Sequence, residues 1–135
     1  MSGLEVGLRV PLLASALVLV SAFSSFAIGG TPCNVARGRQ VFSNTCAMCH
    51  IAQKGAASAA APNIYGVIGR KPASLSDFTY STAMKARKGR WTAAALNVFI
   101  ANPQVTVPGT YMAFTGIKRA TDRAAVICYL ESLEK

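Results

Sequence analysis

Residues 46–50 read CAMCH, two cysteines two residues apart with the chain's single histidine directly after the second. Three chemistries use such a stretch: a redox dithiol, half of a zinc site, or a covalent haem attachment. A zinc centre needs about four ligands, usually as two close pairs. Here there is one His, no second CxxC, and Cys33 and Cys128 stand isolated. A thioredoxin-like dithiol sits at a strand-to-helix turn of an α/β chain, and no stretch of this sequence sustains strand alternation. Covalent haem accounts for the spacing. Cys46 and Cys49 lie within one helical turn, so both sulfurs reach the two vinyl edges of one porphyrin, and His50 points at the iron from the same side. A second axial imidazole is excluded, which leaves Met1, Met48, Met84, Met112 or an open position.

The length of 135 residues allows one domain. Residues 1–30 read as a separate segment. One Arg near the start precedes an uncharged stretch from Val10 to Gly30, with an apolar centre at Val10–Val20. Ser25 and Ala27 fit the small-x-small rule for cleavage after Ala27, a secretory signal pattern. The rival is an uncleaved membrane anchor, since Val10–Ile28 is about long enough to span a bilayer. Pro32 before Cys33 argues against a lipoprotein. Residues 31–135 are the expected domain, with a core thin enough for a held apolar cofactor to help fill it.

A net charge of +9 favours acidic partners. The basic residues spread from Arg37 to Arg123, KARKGR at 85–90 being the tightest group. Without an aromatic-interleaved basic stripe or a helix-turn-helix pattern, nucleic acid is not an expected partner.

The rest of the chain reads as helices and turns. From Cys33 to Cys46, positions Val35, Gly38, Phe42 and Cys46 share one face. Gly38 on that face costs about 1 kcal/mol in a helix, which is worthwhile where another helix crosses very close. Residues 51–61 and 62–72 read as loop and turns. A short helix within 74–89 is expected to begin near Ser76 or Asp77 and stop at Gly89. Thr92 caps a helix carrying Leu96, Phe99 and Ile100, which Pro103 ends. Residues 104–117 read as a structured loop. A last helix over 119–135 has Thr121 as N-cap, Asp122 in its first turn, and Val126, Tyr129, Leu130 and Leu133 as its apolar face. Cys128 lies about 200° around that helix from Val126, so no Cys33–Cys128 bridge is expected.

GRQVFSNTCAMCH, PNIYGVIGRKP, FTYSTAMKARKGRWT and VPGTYMAFTGIK, in this order, resemble class I cytochrome c of the mitochondrial and short alphaproteobacterial type. The resemblance runs from about Val35 to Leu133. It implies an all-α small cytochrome c fold, with first and last helices crossing at Gly38 and Phe42 against Val126 and Tyr129, and loops wrapped around one haem c held through Cys46 and Cys49. It implies His50 and Met112 as iron ligands, with the Pro62 carbonyl orienting His50. Arg70, Tyr80 and Trp91 match positions that hold the haem propionates, and Thr110 and Phe114 flank the Met loop. Phe99 stands where Tyr is usual and Met84 where Asn is frequent, so the distal pocket is less polar. Gln104, Val105 and Tyr111 replace frequent lysines, which thins the basic ring around the haem edge to Lys54, Lys118 and Arg119.

The function so implied is a single-electron carrier and not an enzyme, a monomer with no second His for peroxidase chemistry. It would run between quinol–cytochrome c oxidoreductase and a terminal oxidase such as cytochrome c oxidase, docking on their acidic faces. The leader points to a bacterial periplasm, the mitochondrial intermembrane space being the alternative. An uncleaved leader would make it a membrane-anchored carrier.

Overall fold

The computed structural model describes Gly3 and residues 33–134. The leader reading falls outside them, Gly3 apart. Among the described residues there is no strand, and the elements in chain order are α1 (Val35–Thr45), α2 (Thr82–Ala86), α3 (Ala93–Ala101), α4 (Pro103–Thr106) and α5 (Ala120–Ser132). The all-α expectation holds.

α1 starts where the Asn34 side chain accepts from the Arg37 amide at 2.8 Å, the usual way of satisfying a free N–H at a helix start. It then crosses α5. Gly38 is buried in the contact. A Cβ there would strike the Ala125 carbonyl oxygen and lie 2.7 Å from Tyr129 Cβ. The glycine therefore admits backbone against backbone, as expected of it, but the residue opposite is Ala125. One turn on, the Phe42 and Tyr129 rings lie 5.4 Å apart at 49°, and the Arg39 guanidinium sits over Tyr129 at 5.9 Å. At the outer edge Arg37 grips Asp122 with Nε at 3.0 Å and Nη2 at 2.9 Å.

Cys33 and Cys128 form a disulfide, with Cα atoms 5.6 Å apart. This corrects the sequence expectation. Counting from one apolar face put Cys128 outside, yet Ala125, Val126, Ile127, Cys128 and Leu130 are all buried. α5 is covered on two sides, by α1 and by α3, so a single-face wheel misses three of its five buried residues. Three further boundaries differ. α5 starts at Ala120 with Arg119 as a cap that makes no side-chain hydrogen bond; Thr121 lies inside the first turn, and Asp122 is taken by Arg37. α2 starts at Thr82, with the Ser81 hydroxyl accepting from the Met84 amide at 3.1 Å. Asp77 instead takes the Ser58 amide and hydroxyl at 2.7 and 3.1 Å. Pro103 does not merely end α3: it opens α4, behind an Asn102 cap, where a missing N–H costs nothing.

Thr92 caps α3 as expected, accepting from the Ala95 amide. Leu96 and Phe99 on α3 join Val41, Phe42, Val126 and Leu130 in the core. Past the loop of residues 107–116, the Ile117 amide donates to the Ile100 carbonyl at 2.8 Å. Gly116, at φ 92°, lies so close to α3 that a Cβ would strike the Ala101 carbonyl oxygen.

Candidate functional site

The CAMCH stretch follows directly from α1. The Cys46 amide donates to the Phe42 carbonyl at 2.8 Å, and the Cys46 carbonyl accepts from the Cys49 and His50 amides at 3.1 and 2.9 Å. This curl brings Cys46, Cys49 and His50 round one turn. Both thiols are free, Cys46 half-buried and Cys49 exposed. Burial, then the neighbouring Cys49, pushes the Cys46 thiol up to about 11, so it stays protonated at neutral pH.

His50 Nδ1 lies 2.8 Å from the Pro62 carbonyl oxygen. A carbonyl only accepts, so Nδ1 carries the proton and Nε2 keeps its lone pair. Burial is the main effect on the ring and lowers its pKa; the Pro62 contact opposes it. Burial thus favours the neutral ring, the form that ligates a metal. The segment carrying Pro62 is fastened to the motif by Ala61 N to Cys49 O at 3.1 Å and Ile64 N to Ile51 O at 2.8 Å.

Asn63, next to Pro62, is a buried polar hub that sequence reading missed. Its amide nitrogen donates to the Gln53 and Ala56 carbonyls at 2.8 and 2.7 Å, and its side-chain oxygen accepts from the Tyr65 amide at 2.9 Å. Arg70 donates to the Tyr65 and Asn63 carbonyls at 2.9 and 2.8 Å. Arg70 and Trp91 pair through their backbones, Trp91 N to Arg70 O at 2.9 Å and Gly69 N to Trp91 O at 2.8 Å. Tyr80 is close enough for its phenol to feel the Arg70 charge, although burial has the larger effect and raises its pKa. The structure therefore gathers Arg70, Tyr80 and Trp91 in one region, with two of the Arg70 nitrogens occupied by backbone. Trp91 is buried between Phe99, 4.9 Å away ring to ring, and the Arg87 guanidinium at 4.6 Å.

The four methionines separate clearly. Met1 lies outside the described residues. Met48 is 84% exposed, and Met84 is core. Met112 is half-buried and packs against the core. Its loop is held from inside: Thr110 is buried, its amide donates to Val107 O at 3.0 Å, and Phe114 N donates to Met112 O at 2.9 Å. Thr110 Oγ1 accepts from the Met112 amide at 3.3 Å. Gln104, read from sequence only as a replaced lysine, also holds this loop. Its Nε2 donates to the Thr110 and Met112 carbonyls at 3.0 and 3.1 Å.

Among the described residues no three His, Cys, Asp or Glu gather as a metal cluster. The donor set present is two free thiols, a neutral imidazole with Nε2 available and a thioether on an apolar wall. That chemistry fits a porphyrin iron with thioether attachment and mixed nitrogen–sulfur ligation.

The family model for Cytochrome c matches residues 35–134. The cytochrome c-type cyt cy of Rhodobacter capsulatus is 43% identical over 98 residues, 73% of this chain and 48% of that protein. A cytochrome c homolog of Bradyrhizobium diazoefficiens is 45% identical over 91 residues, 67% of this chain and 50% of that protein. This chain thus spans about half the length of these two relatives. Cytochrome c of Euglena viridis is 41% identical over 98 residues, 73% of this chain and 95% of that protein. With helices crossing at Gly38 and a matching family model over the whole described domain, the chain belongs to the cytochrome c family, and its cofactor is haem c, attached covalently through the cysteine pair.

Proposed function

We propose that this protein carries single electrons between membrane oxidoreductases, with His50 and Met112 as the residues that would hold the haem iron. The observation that carries the reading is the His50–Pro62 contact at 2.8 Å, which fixes the tautomer and presents Nε2, together with a thioether on a separately fastened loop. When bound, haem c supplies an iron that cycles between ferrous and ferric. The chain's part is to hold and shield it. His50 is oriented by Pro62, and the Met112 loop by Thr110 and Phe114. Held by the His50 imidazole and the Met112 thioether, the iron would have a raised potential and would leave no place for oxygen. Phe99 and Met84, both buried, keep water away from the distal side. Arg70, Tyr80 and Trp91 are the groups suited to the propionates. No proton or bond needs to move on a substrate, which suits a carrier better than an enzyme.

The proposed donor is a quinol–cytochrome c oxidoreductase and the acceptor a terminal oxidase such as cytochrome c oxidase, met through their acidic faces. The compartment is a bacterial periplasm, entered with the leader of residues 1–30. Retention of that leader as an anchor is the second reading, favoured by the length of Val10–Ile28; the mass of the native N-terminus decides between them. Docking rests less on charge than a lysine-rich ring would make it, because Val105 and Tyr111 are 73% and 71% exposed at the Met loop. Turnover with the native oxidase is therefore expected to fall only shallowly with ionic strength.

An absorption spectrum tests the ligand assignment. The ferric protein is expected to show the weak near-red band of an iron–Met sulfur bond, lost in Met112→Ala. A high-spin spectrum that binds carbon monoxide readily would replace the carrier reading with an open-site one.

A further inference from the structure

We propose that Gln104 is a positioning residue that pins the Met112 loop, an inference that rests on Met112 being the axial ligand. The loop leaves α4 at Val107 and must turn Met112 inward while the preceding residue turns outward. One side-chain amide fixes that alternation. Gln104 Nε2 reaches the Thr110 carbonyl at 3.0 Å and the Met112 carbonyl at 3.1 Å. These two carbonyls bracket Tyr111, which is thrown out to 71% exposure, while Met112 is half-buried against the core.

The base of this clamp is stiff. α4 begins at Pro103, whose side chain is fully buried, behind an Asn102 cap that accepts from the Val105 amide at 3.3 Å. Thr106 ties the same turn to α3 through the Val98 carbonyl at 3.2 Å and to the Asn102 carbonyl at 2.9 Å. Gln104 projects from a platform anchored at both ends onto a loop whose other side-chain ties are the hydroxyl of Thr110 at the Met112 amide and the Lys118 ammonium at the Thr115 carbonyl. An amide does this where an ammonium would not do it equally well. Its two N–H bonds lie in one plane at a fixed angle, so they span two carbonyls two residues apart in the loop, whereas a lysine head rotates freely and prefers water. The clamp raises the cost of swinging Met112 away from the iron and leaves the helices untouched.

Two holoprotein variants test this. Gln104→Ala removes both donors, and Gln104→Glu keeps the shape but turns acceptors toward carbonyl oxygens. External imidazole is titrated against the near-red band of the ferric form, which reads how readily Met112 is displaced. Its affinity is expected to rise about tenfold in Gln104→Ala, the factor for losing two partly exposed hydrogen bonds, and further in Gln104→Glu. Val98→Ala, on the outer side of α3, is expected to match wild type in imidazole affinity. Imidazole affinities within twofold of wild type in both Gln104 variants would overturn the proposal. Amide exchange at Met112 and Phe114 gives a readout that does not depend on the iron. It is expected to quicken about fivefold in Gln104→Ala, and no change there also overturns the clamp. A wild-type protein with no near-red band would instead sink the Met112 assignment, and the exchange rates would then decide the clamp alone.

Discussion

The crossing of α1 with α5 and the loop that carries Met112 are held by different means. At the crossing, a glycine lets two backbones touch, aromatic rings fill the next turn, and a disulfide closes the end. Nothing there can give by a few tenths of an ångström without moving a helix. The Met112 loop is held by hydrogen bonds from Thr110, Gln104 and Phe114, each worth about 1 kcal/mol and open to exchange with water. The comparison teaches that stability and ligand geometry are separable here. The first region decides whether the chain folds, and the second decides how firmly one side chain is presented.

The largest break comes from Gly38→Val. Its Cβ meets the Ala125 carbonyl oxygen, so the helices must part, and we expect a loss of about 4 kcal/mol, read as the shift of the denaturant midpoint of the holoprotein. A Gly38→Val midpoint equal to wild type would show that the crossing is not a tight contact. Next is the bridge. Cys33→Ser is expected to cost about 3 kcal/mol, since it frees a long loop in the unfolded chain. A thiol reductant acting on the wild-type protein already in its ferrous form should reproduce that loss and leave the haem attached, because thioethers do not exchange with thiols.

On the hydrogen-bonded side the effects are smaller. Asn63→Ala orphans the Gln53 and Ala56 carbonyls and the Tyr65 amide, for which we expect about 2 kcal/mol, and a weakened hold on the neighbouring Pro62 carbonyl. The smallest effect is electrostatic. The Ser58 amide holds the Asp77 carboxyl below its usual 3.8, with the Ser58 hydroxyl assisting. A lowered folded-state pKa adds stability that is complete above the unfolded value and lost as pH falls through the folded one. Asp77→Asn should therefore be less stable than wild type at pH 6, and the difference should shrink below pH 4; a gap that persists at pH 2 would contradict it.

What could be read from sequence follows the same division. CAMCH is contiguous, so its geometry needs no knowledge of the fold, and Gly38 stood out because a small residue on an apolar face needs a reason. Thr92 was legible as a cap because it bonds within its own turn. Cys128 was not, because its burial depends on α3 covering a second side of α5, which the pattern of α5 alone does not show. Asp77 read as a helix start because an aspartate that caps a helix and one that brackets a loop look alike until Ser58 is brought beside it. Asn63 and Gln104 bond to backbone carbonyls, and carbonyls leave no mark in a sequence; their partners are set by the path of the chain.

The disulfide also changes the topology of the polymer. Joining residues 95 apart, it turns most of the domain into a ring that contains the CAMCH stretch, every loop and α1 to α4. A ring must be cut twice before anything falls off. A protease that nicks the exposed Ala59–Ala60 stretch leaves one covalent molecule with two new ends, and the fragments should separate in electrophoresis only after reduction. A single broken peptide bond is then an injury the covalent molecule survives.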